Sequence, residues 1–191
     1  MVAKELKLSG QETERLYDKN SHLKEFEAVV LSCEKKETIK GEAAGYRVVL
    51  DRTAFFPEGG GQFGDRGRLD ETEVTDTREK YGIIYHETVT PLEPGCTVKG
   101  RIDYDVRFDR MQQHSGEHIL SGLVHSLYGY DNVGFHLGEE VTTLDFNGEL
   151  TEAQVKDLER LANRGVFENV PVQVLYPTKE QLKSVNYRSK I

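Results

Sequence analysis

The chain has 191 residues, of which 37% are hydrophobic and 30% are charged, and its formal net charge is −8. This composition is typical of a soluble globular protein, and no apolar run is long enough to cross a membrane. The acidic charge argues against nonspecific nucleic-acid binding, which comes from Lys and Arg against phosphate. Two unrelated cysteines, Cys33 and Cys96, and an N-terminus without an apolar signal core argue against a disulfide scaffold and predict a cytoplasmic protein.

The first part of the chain predicts a small antiparallel β-barrel. Short segments rich in Val, Ile and Tyr alternate with clusters of Gly, Pro and Asp. Strands this short and this regularly spaced are typical of a small barrel. The predicted strands are 25–33, 46–51, 67–69, 73–76, 82–89 and 97–102.

The pattern changes near residues 103–106. Residues 109–128 carry apolar side chains at three- and four-residue spacing, which predicts a helix, and Gly129 predicts its end. A strand is predicted at 141–146, followed by a helix capped by Thr151. A second strand is predicted at 172–176, followed by a short helix capped by Thr178. The chain is therefore predicted to be an α+β protein, with a β-barrel domain over 1–103 and an α+β domain over 104–191.

The predicted helix contains RMQQHSGEHILSGL (residues 110–123), in which His114 and His118 stand four residues apart. Residues at this spacing lie on one helix face, with Cβ atoms about 5–6 Å apart. Two imidazoles so placed can bind one zinc ion. The alternative is a polar pair on an exposed helix face. Ser115 and Gly116, poor helix formers between the histidines, leave room for an approaching group and favour the metal site.

The sequence HSGEH also fits H-x-x-E-H, a signature of one class of zinc peptidases. In such an enzyme Glu117 would be the general base that activates a zinc-bound water. The signature fixes only three of five positions, and a distal carboxylate ligand would still be needed. A metallopeptidase therefore stays as an alternative function.

A glycine-rich segment, TAFFPEGGGQFGDRG at residues 53–67, is the second unusual motif. Its three consecutive glycines allow positive φ and a close approach of the backbone to another group; they are Gly59, Gly60 and Gly61. It is not a P-loop, since no GK[ST] follows, and it does not open a helix as a dinucleotide-binding fingerprint does. A β-turn with a bulge is the structural alternative. The flanking phenylalanines favour a rigid loop that lies over another element and presents Gln62 as one side of a binding site.

Together and in this order, FFPEGGGQFGDRG and RFDRMQQHSGEHILSGL resemble the alanyl-tRNA editing proteins of the AlaX family, relatives of the editing domain of alanyl-tRNA synthetase. The resemblance implies a β-barrel joined to an α+β editing domain of the type shared with threonyl-tRNA synthetase. It implies hydrolysis of the ester that joins serine, or secondarily glycine, to alanine tRNA. It also implies a zinc ion held by His114 and His118, and a Gln62 that helps to hold the substrate.

The chain departs from this family in one respect. The family holds zinc with a further C-x-x-x-H pair, and none occurs in the 191 residues. We therefore expect a fragment, with an editing domain incomplete at its C-terminal end and two further zinc ligands beyond residue 191. The 191 residues alone can then lack the activity. The family gives no support for an obligatory base at Glu117, which joins Gln62 as a candidate catalytic residue.

Basic residues are the candidate contacts to tRNA phosphates. Residues 176–191 carry a local excess of positive charge that includes Arg188, and Arg107 precedes the histidine pair. Gly59, Gly60 and Gly61 complete the predicted substrate-binding set. A noncatalytic tRNA-binding module is the remaining alternative, since two histidines alone bind metal weakly.

Overall fold

The computed structural model describes residues 12–37, 43–138 and 141–185. The chain divides into two compact units, Met1–Glu149 and Leu150–Ile191. The first unit contains β1 (Glu14–Arg15), a 3₁₀ turn (Leu16–Asp18), β2 (Glu25–Glu37), β3 (Ala43–Leu50), β4 (Arg52–Thr53), β5 (Gly67–Leu69), β6 (Thr72–Lys80), β7 (Ile83–Thr88), β8 (Thr97–Ile102), α1 (Tyr104–Tyr128), β9 (Asn132–Leu137) and β10 (Thr142–Phe146). The second contains α2 (Glu152–Phe167) and α3 (Lys179–Leu182).

Six antiparallel strands form a closed barrel in the order β2-β3-β7-β6-β5-β8. The 13-residue strand β2 closes it by serving two neighbours. Its first part, from Glu25 to Val29, pairs with β8, and from Val30 onward it pairs with β3. A register shift between Val30 and Ser32 marks the change of partner, as a bulge does where a strand bends around a small barrel. The predicted α+β class with a barrel is confirmed.

Alternation along the strands fills the barrel with apolar side chains. In β8 every second residue is buried, and Gly100 stands between Val98 and Ile102 on the inner face. A Cβ at Gly100 would lie 2.2 Å from the Phe26 ring, so the missing side chain makes room for that ring. Phe26 in turn meets Phe55 edge to face, with ring centroids 5.8 Å apart. The core is completed by Ala28, Val30, Val48, Leu50, Ala54, Leu69 and Val74.

The long helix α1 begins at Tyr104, five residues before the predicted start, and ends where predicted. Gly129 adopts φ +72°, and its N–H donates to the His125 carbonyl at 2.9 Å, which ends the helix in the left-handed conformation that glycine favours. Strands β9 and β10 form an antiparallel pair after it. The sequence had not predicted β9.

Two predicted capping boxes open the helices of the second unit. The Thr151 N–H donates to Gln154 Oε1 at 2.8 Å, and Thr178 and Gln181 repeat the arrangement. The predicted strand at 172–176 is wrong, because the structure has no regular element there. Val172 and Val174 are 89% and 72% exposed. A strand needs a hydrogen-bonded neighbour, and apolar alternation alone does not supply one.

The predicted domain boundary stays a prediction. The barrel's last strand ends at Ile102 and α1 follows at Tyr104, whereas the compact units divide between Glu149 and Leu150. Within the described ranges, no helix combines the length and apolarity needed to span a bilayer.

Candidate functional site

The tip of the glycine-rich segment is a two-residue turn. Gly59 and Gln62 exchange both backbone hydrogen bonds at 3.0 Å. The two residues between them, Gly60 and Gly61, adopt φ +59° and +82°. Positive φ at both central positions is the requirement of the type I′ turn, which explains the glycines. The turn expected as the structural alternative is therefore present, and its tip is also where the loop meets other elements.

The turn lies against α1 and β9. A Cβ on Gly60 would lie 3.7 Å from His114 Cε1, which is ordinary contact distance. A Cβ on Gly61 would lie 2.6 Å from the Phe135 ring, so only glycine allows this approach to β9. The Phe135 ring in turn lies 5.4 Å from the His114 ring. The loop, the helix and the strand thus meet around one histidine.

Gln62 joins the two sequence motifs directly. Its side chain is 4% exposed, and its Oε1 accepts a hydrogen bond from His114 Nδ1 at 3.0 Å. An amide oxygen can only accept, so this bond places the proton of a neutral His114 on Nδ1. Nε2 is then the ring nitrogen that carries the lone pair, the atom through which a neutral imidazole binds a metal ion.

His114 and His118 are brought together as the spacing predicted. Their rings stack with centroids 5.1 Å apart and an interplanar angle of 8°. Donor atoms of His114, Glu117 and His118 all lie within 4.8 Å of one another, which makes this a group that could hold a metal ion. The His118 side chain is 62% exposed, whereas His114 is partly buried. The group is therefore open to solvent on the His118 side.

Glu117 lies beneath the histidines, and its side chain has no exposed surface. Its Oε1 accepts hydrogen bonds from Ser121 Oγ at 2.5 Å and Asn132 Nδ2 at 2.8 Å. Its Oε2 lies 3.6 Å from His118 Nδ1. A carboxylate enclosed in this way does not reach a substrate, so the role of general base predicted by H-x-x-E-H does not fit. The position suits a group that orients His118 from behind.

The sequence did not identify Ser121 and Asn132 as supports of Glu117. Asn132 Nδ2 also donates to Ser121 Oγ at 2.9 Å, so the three side chains form one cluster. Ser121 stands four residues after Glu117, a spacing that places both on one helix face and could have been noticed. Asn132 opens β9, and no sequence pattern links it to the helix.

Arg107 does not contact solvent as a phosphate-binding residue would. It is 3% exposed and forms an ion pair with Asp65, itself 1% exposed, with Nε 2.8 Å from Oδ2. Its remaining donors reach the carbonyls of Ala54 at 2.7 Å and Ser21 at 3.1 Å. This geometry contradicts the predicted phosphate contact, because the guanidinium is committed to the barrel. Arg188 lies outside the described residues.

Asp65 uses the same carboxylate to hold the glycine-rich segment. Its Oδ2 accepts from the Phe56 N–H at 2.7 Å, and the Asp65 N–H donates to the Phe56 carbonyl at 2.9 Å. The Thr77 hydroxyl donates to the Asp65 carbonyl at 2.9 Å. The base of the loop is therefore fixed to α1 through Arg107 and to β6 through Thr77.

A cavity of about 520 Å³ opens beside the turn. It is lined by the glycines and Gln62 on one side and by Phe63 and His136 on another, and its charged residues are Glu58, Arg78 and Glu79. A space of this size lies within the range of small-molecule sites. Its carboxylates outnumber its one guanidinium, so it does not favour a free phosphate.

Comparison with known proteins places the chain in a family. The model of the family described as tRNA synthetases class II (A) matches residues 2–106. The chain is 35% identical to alanyl-tRNA editing protein Aarsd1 of Bos taurus, over 82% of this chain and 37% of that protein. It is 37% identical to alanyl-tRNA editing protein AlaX-L of Pyrococcus horikoshii, over 84% of this chain and 40% of that protein.

Alanine–tRNA ligase of Halorubrum lacusprofundi is 35% identical over 91% of this chain and 19% of the ligase. Each of these alignments leaves out fewer residues than precede the glycine-rich segment or follow the histidine pair, so each includes both motifs. The chain therefore belongs to the family of class II (A) tRNA synthetases, and the predicted resemblance to alanyl-tRNA editing proteins is confirmed. The chain spans about two fifths of the length of those editing proteins.

Proposed function

We propose that the protein hydrolyses the ester of mischarged alanine tRNA, acting on the seryl form first and the glycyl form second. The hydrogen bond of 3.0 Å between Gln62 and His114 carries this proposal, because it joins the two motifs at one point. The kinship with alanyl-tRNA editing proteins supports the choice of substrate.

Zinc is the metal that this donor set suits best. Imidazoles are a ligand type that zinc accepts, and four ligands complete its usual shell. Gln62 lies on the Nδ1 side of His114, and Glu117 lies on the Nδ1 side of His118. We therefore assign the Nε2 atoms of the two histidines to the ion. When bound, zinc supplies a Lewis acid that polarises a carbonyl or lowers the pKa of a bound water.

Gln62 also offers a means of choosing the substrate. Its oxygen is used by His114, whereas its amide nitrogen donates to none of the residues that the structure describes. That nitrogen can donate to the serine hydroxyl or to the ester oxygen. A site that hydrogen-bonds a hydroxyl rejects an analogue without one far better than a methyl-sized gap does. On this basis the seryl form is preferred to both the alanyl and the glycyl forms, which lack the hydroxyl, and the glycyl form therefore comes second.

The test is a deacylation assay on seryl-tRNA(Ala) with added zinc, with the Pyrococcus horikoshii relative assayed in parallel. We expect hydrolysis to depend on the histidine pair, so any rate that the chain shows above the uncatalysed reaction should be lost in the double variant His114→Ala, His118→Ala. His125→Ala, on the same helix seven residues after His118, is the matched control and should keep the activity. Full activity in the double variant would contradict the proposal, and so would a chain that is inert and binds no zinc beside an active relative.

A further inference from the structure

Phe63 is an exposed aromatic residue next to the candidate site. It follows the buried Gln62 in the chain, and 40% of its surface is exposed. The Arg110 guanidinium lies 5.6 Å from the centre of its ring, within the range of a cation–π contact. The His136 ring meets it edge to face at 6.4 Å. A large apolar ring is thus held at the surface between a cation and an imidazole.

The backbone and Arg110 fix the position of this ring. Arg110 Nη1 donates to the carbonyls of Gly64 at 2.8 Å and Phe63 at 3.4 Å. Gly64 packs so closely on β6 that an added Cβ would lie 2.1 Å from the Thr77 carbonyl oxygen. The chain on the C-terminal side of Phe63 therefore has no room to shift. An aromatic ring presented in this way loses little freedom when a flat ligand stacks on it.

Phe63 lines two cavities. One is the cavity of about 520 Å³ that also contains Gln62 and His136. The other, of about 490 Å³, is lined by Arg66, Arg110 and Gln113 and by the carboxylates Asp105 and Asp109. Two positive and two negative groups leave the second cavity without net charge.

Arg66 is the cation of the second cavity that remains available. Its side chain is exposed and forms no ion pair within the part of the chain that the structure describes. Arg110, by contrast, is partly buried and engaged with backbone carbonyls. Because Asp105 and Asp109 already balance the two arginines of this cavity, a single phosphodiester, which carries one negative charge, suits Arg66 better than a multiply charged phosphate does.

We propose that Phe63 and Arg110 form a stacking platform for single-stranded RNA, with the terminal adenosine in the first cavity and the preceding nucleotide in the second. Arg66 contacts the phosphate that joins the two nucleotides. Stacking on an aromatic ring backed by arginine is a common way to hold an unpaired base. This inference rests on the proposed function, because the terminal ester must lie near Gln62 and His114.

The first test measures binding without any chemistry. A short RNA that ends in CCA carries pyrrolocytosine, whose fluorescence falls on stacking, at the cytosine next to the terminal adenosine. We expect quenching by the full chain and about a tenfold loss of affinity in Phe63→Ala, with recovery in Phe63→Tyr. Phe167→Ala, which removes a phenylalanine that is 89% exposed in the second unit, is the control and should bind normally.

The second test separates this platform from a general support of the loop. In Phe63→Ala, KM should rise about tenfold for seryl-tRNA(Ala) and by clearly less for seryl-adenosine, which lacks the preceding nucleotide. Equal losses on both substrates would overturn the proposal. Quenching in a wild-type chain that neither hydrolyses seryl-tRNA(Ala) nor binds zinc would contradict the proposed function and leave the platform standing. Absence of quenching in a chain that hydrolyses seryl-tRNA(Ala) would overturn the platform alone.

The phosphate contact has its own measurement. Arg66→Gln should lower the slope of log affinity against log salt concentration by about 0.7, the value for one phosphate of a single strand. An affinity that is lower at every salt concentration, with the slope unchanged, would show that Arg66 contacts no phosphate and would overturn that part of the inference.

Discussion

Two buried carboxylates hold α1 in place, and they differ in what balances their charge. Asp65 is paired with Arg107, and both side chains are almost fully enclosed. Glu117, ten residues further along the helix than Arg107, accepts from the neutral groups of Ser121 and Asn132 and faces His118. The first pair is complete within the barrel unit. Glu117, in contrast, faces the group of donor atoms that could hold a metal ion.

The difference separates a structural role from a positioning role. Removing one member of a buried ion pair leaves a charge in a medium that solvates it poorly, which is a large loss of stability. Changing a carboxylate that orients a metal ligand acts on the ligand first and on stability second. The two clusters should therefore respond differently to the same chemical change, from acid to amide.

The largest effect is expected at Asp65. Asp65→Asn leaves the Arg107 guanidinium buried without a counter-charge, so the free energy of unfolding should fall by about 3–5 kcal/mol. Denaturant titration followed by circular dichroism measures it. Glu71→Gln, at a fully exposed side chain, is the control and should change stability by less than about 0.5 kcal/mol. A loss at Asp65 no larger than at Glu71 would remove the distinction between the two clusters.

The next largest effect is expected from His86, a neutral buried side chain in the barrel that makes stability depend on pH. His86 is fully buried, its Nε2 lies 2.9 Å from Thr53 Oγ1, and burial lowers its pKa to about 4. The unfolded chain, with a pKa near 6.5, binds the proton more tightly. The free energy of unfolding therefore keeps its full value above pH 6.5 and decreases as the pH falls toward 4, by about 3 kcal/mol in all.

Unfolding free energies between pH 7 and pH 4, in the presence of a chelator, measure this effect. His86→Gln should flatten the pH dependence whatever its stability at pH 7. His125→Asn, which changes a histidine with an exposed side chain, should leave the dependence as it is. An unaltered slope in His86→Gln would show that the protonation of other groups governs acid unfolding.

The sequence predicted the barrel better than what surrounds it. Strands such as 67–69 and 97–102 are marked at both ends by turn residues and agree with β5 and β8. In β9, Gly134 interrupts the apolar alternation, so its pattern is weak. Residues 172–176 have the opposite property, a clear pattern without a paired neighbour. Local pattern reports which residues can form a strand, whereas pairing decides whether they do.

The site divides in the same way. Spacing alone predicted that His114 and His118 share a face, because helix geometry fixes it. The role of Arg107 could not be predicted, since a sequence gives charge but not burial. The sequence offered one signal for the ion pair. It is an acidic residue, Asp65, within the glycine-rich motif together with a basic residue, Arg107, near the start of the helix.

Glu117 tests the positioning role. Glu117→Gln keeps the size of the side chain but removes its charge, so stability should fall by only about 1–2 kcal/mol. Zinc affinity should fall about 10–100-fold, because the group behind His118 no longer favours the ligating form. Competition with a chromophoric chelator measures the affinity. A larger loss of zinc affinity in Asp65→Asn than in Glu117→Gln would reverse the assignment of the two carboxylates.

The smallest effect is expected at Gln62, which orients the other histidine through a neutral hydrogen bond. Gln62→Ala removes the acceptor of His114 Nδ1, so His114 can take either tautomer and zinc affinity should fall by about tenfold. Gln62→Glu keeps an acceptor and adds a charge, and it should bind zinc at least as well as the wild type. The same two variants separate metal binding from substrate choice, because the glutamate lacks the amide nitrogen proposed to meet the substrate. Its zinc affinity should then be intact while the hydrolysis of seryl-tRNA(Ala) falls, and an unchanged rate would show that His114 is the only group that needs Gln62.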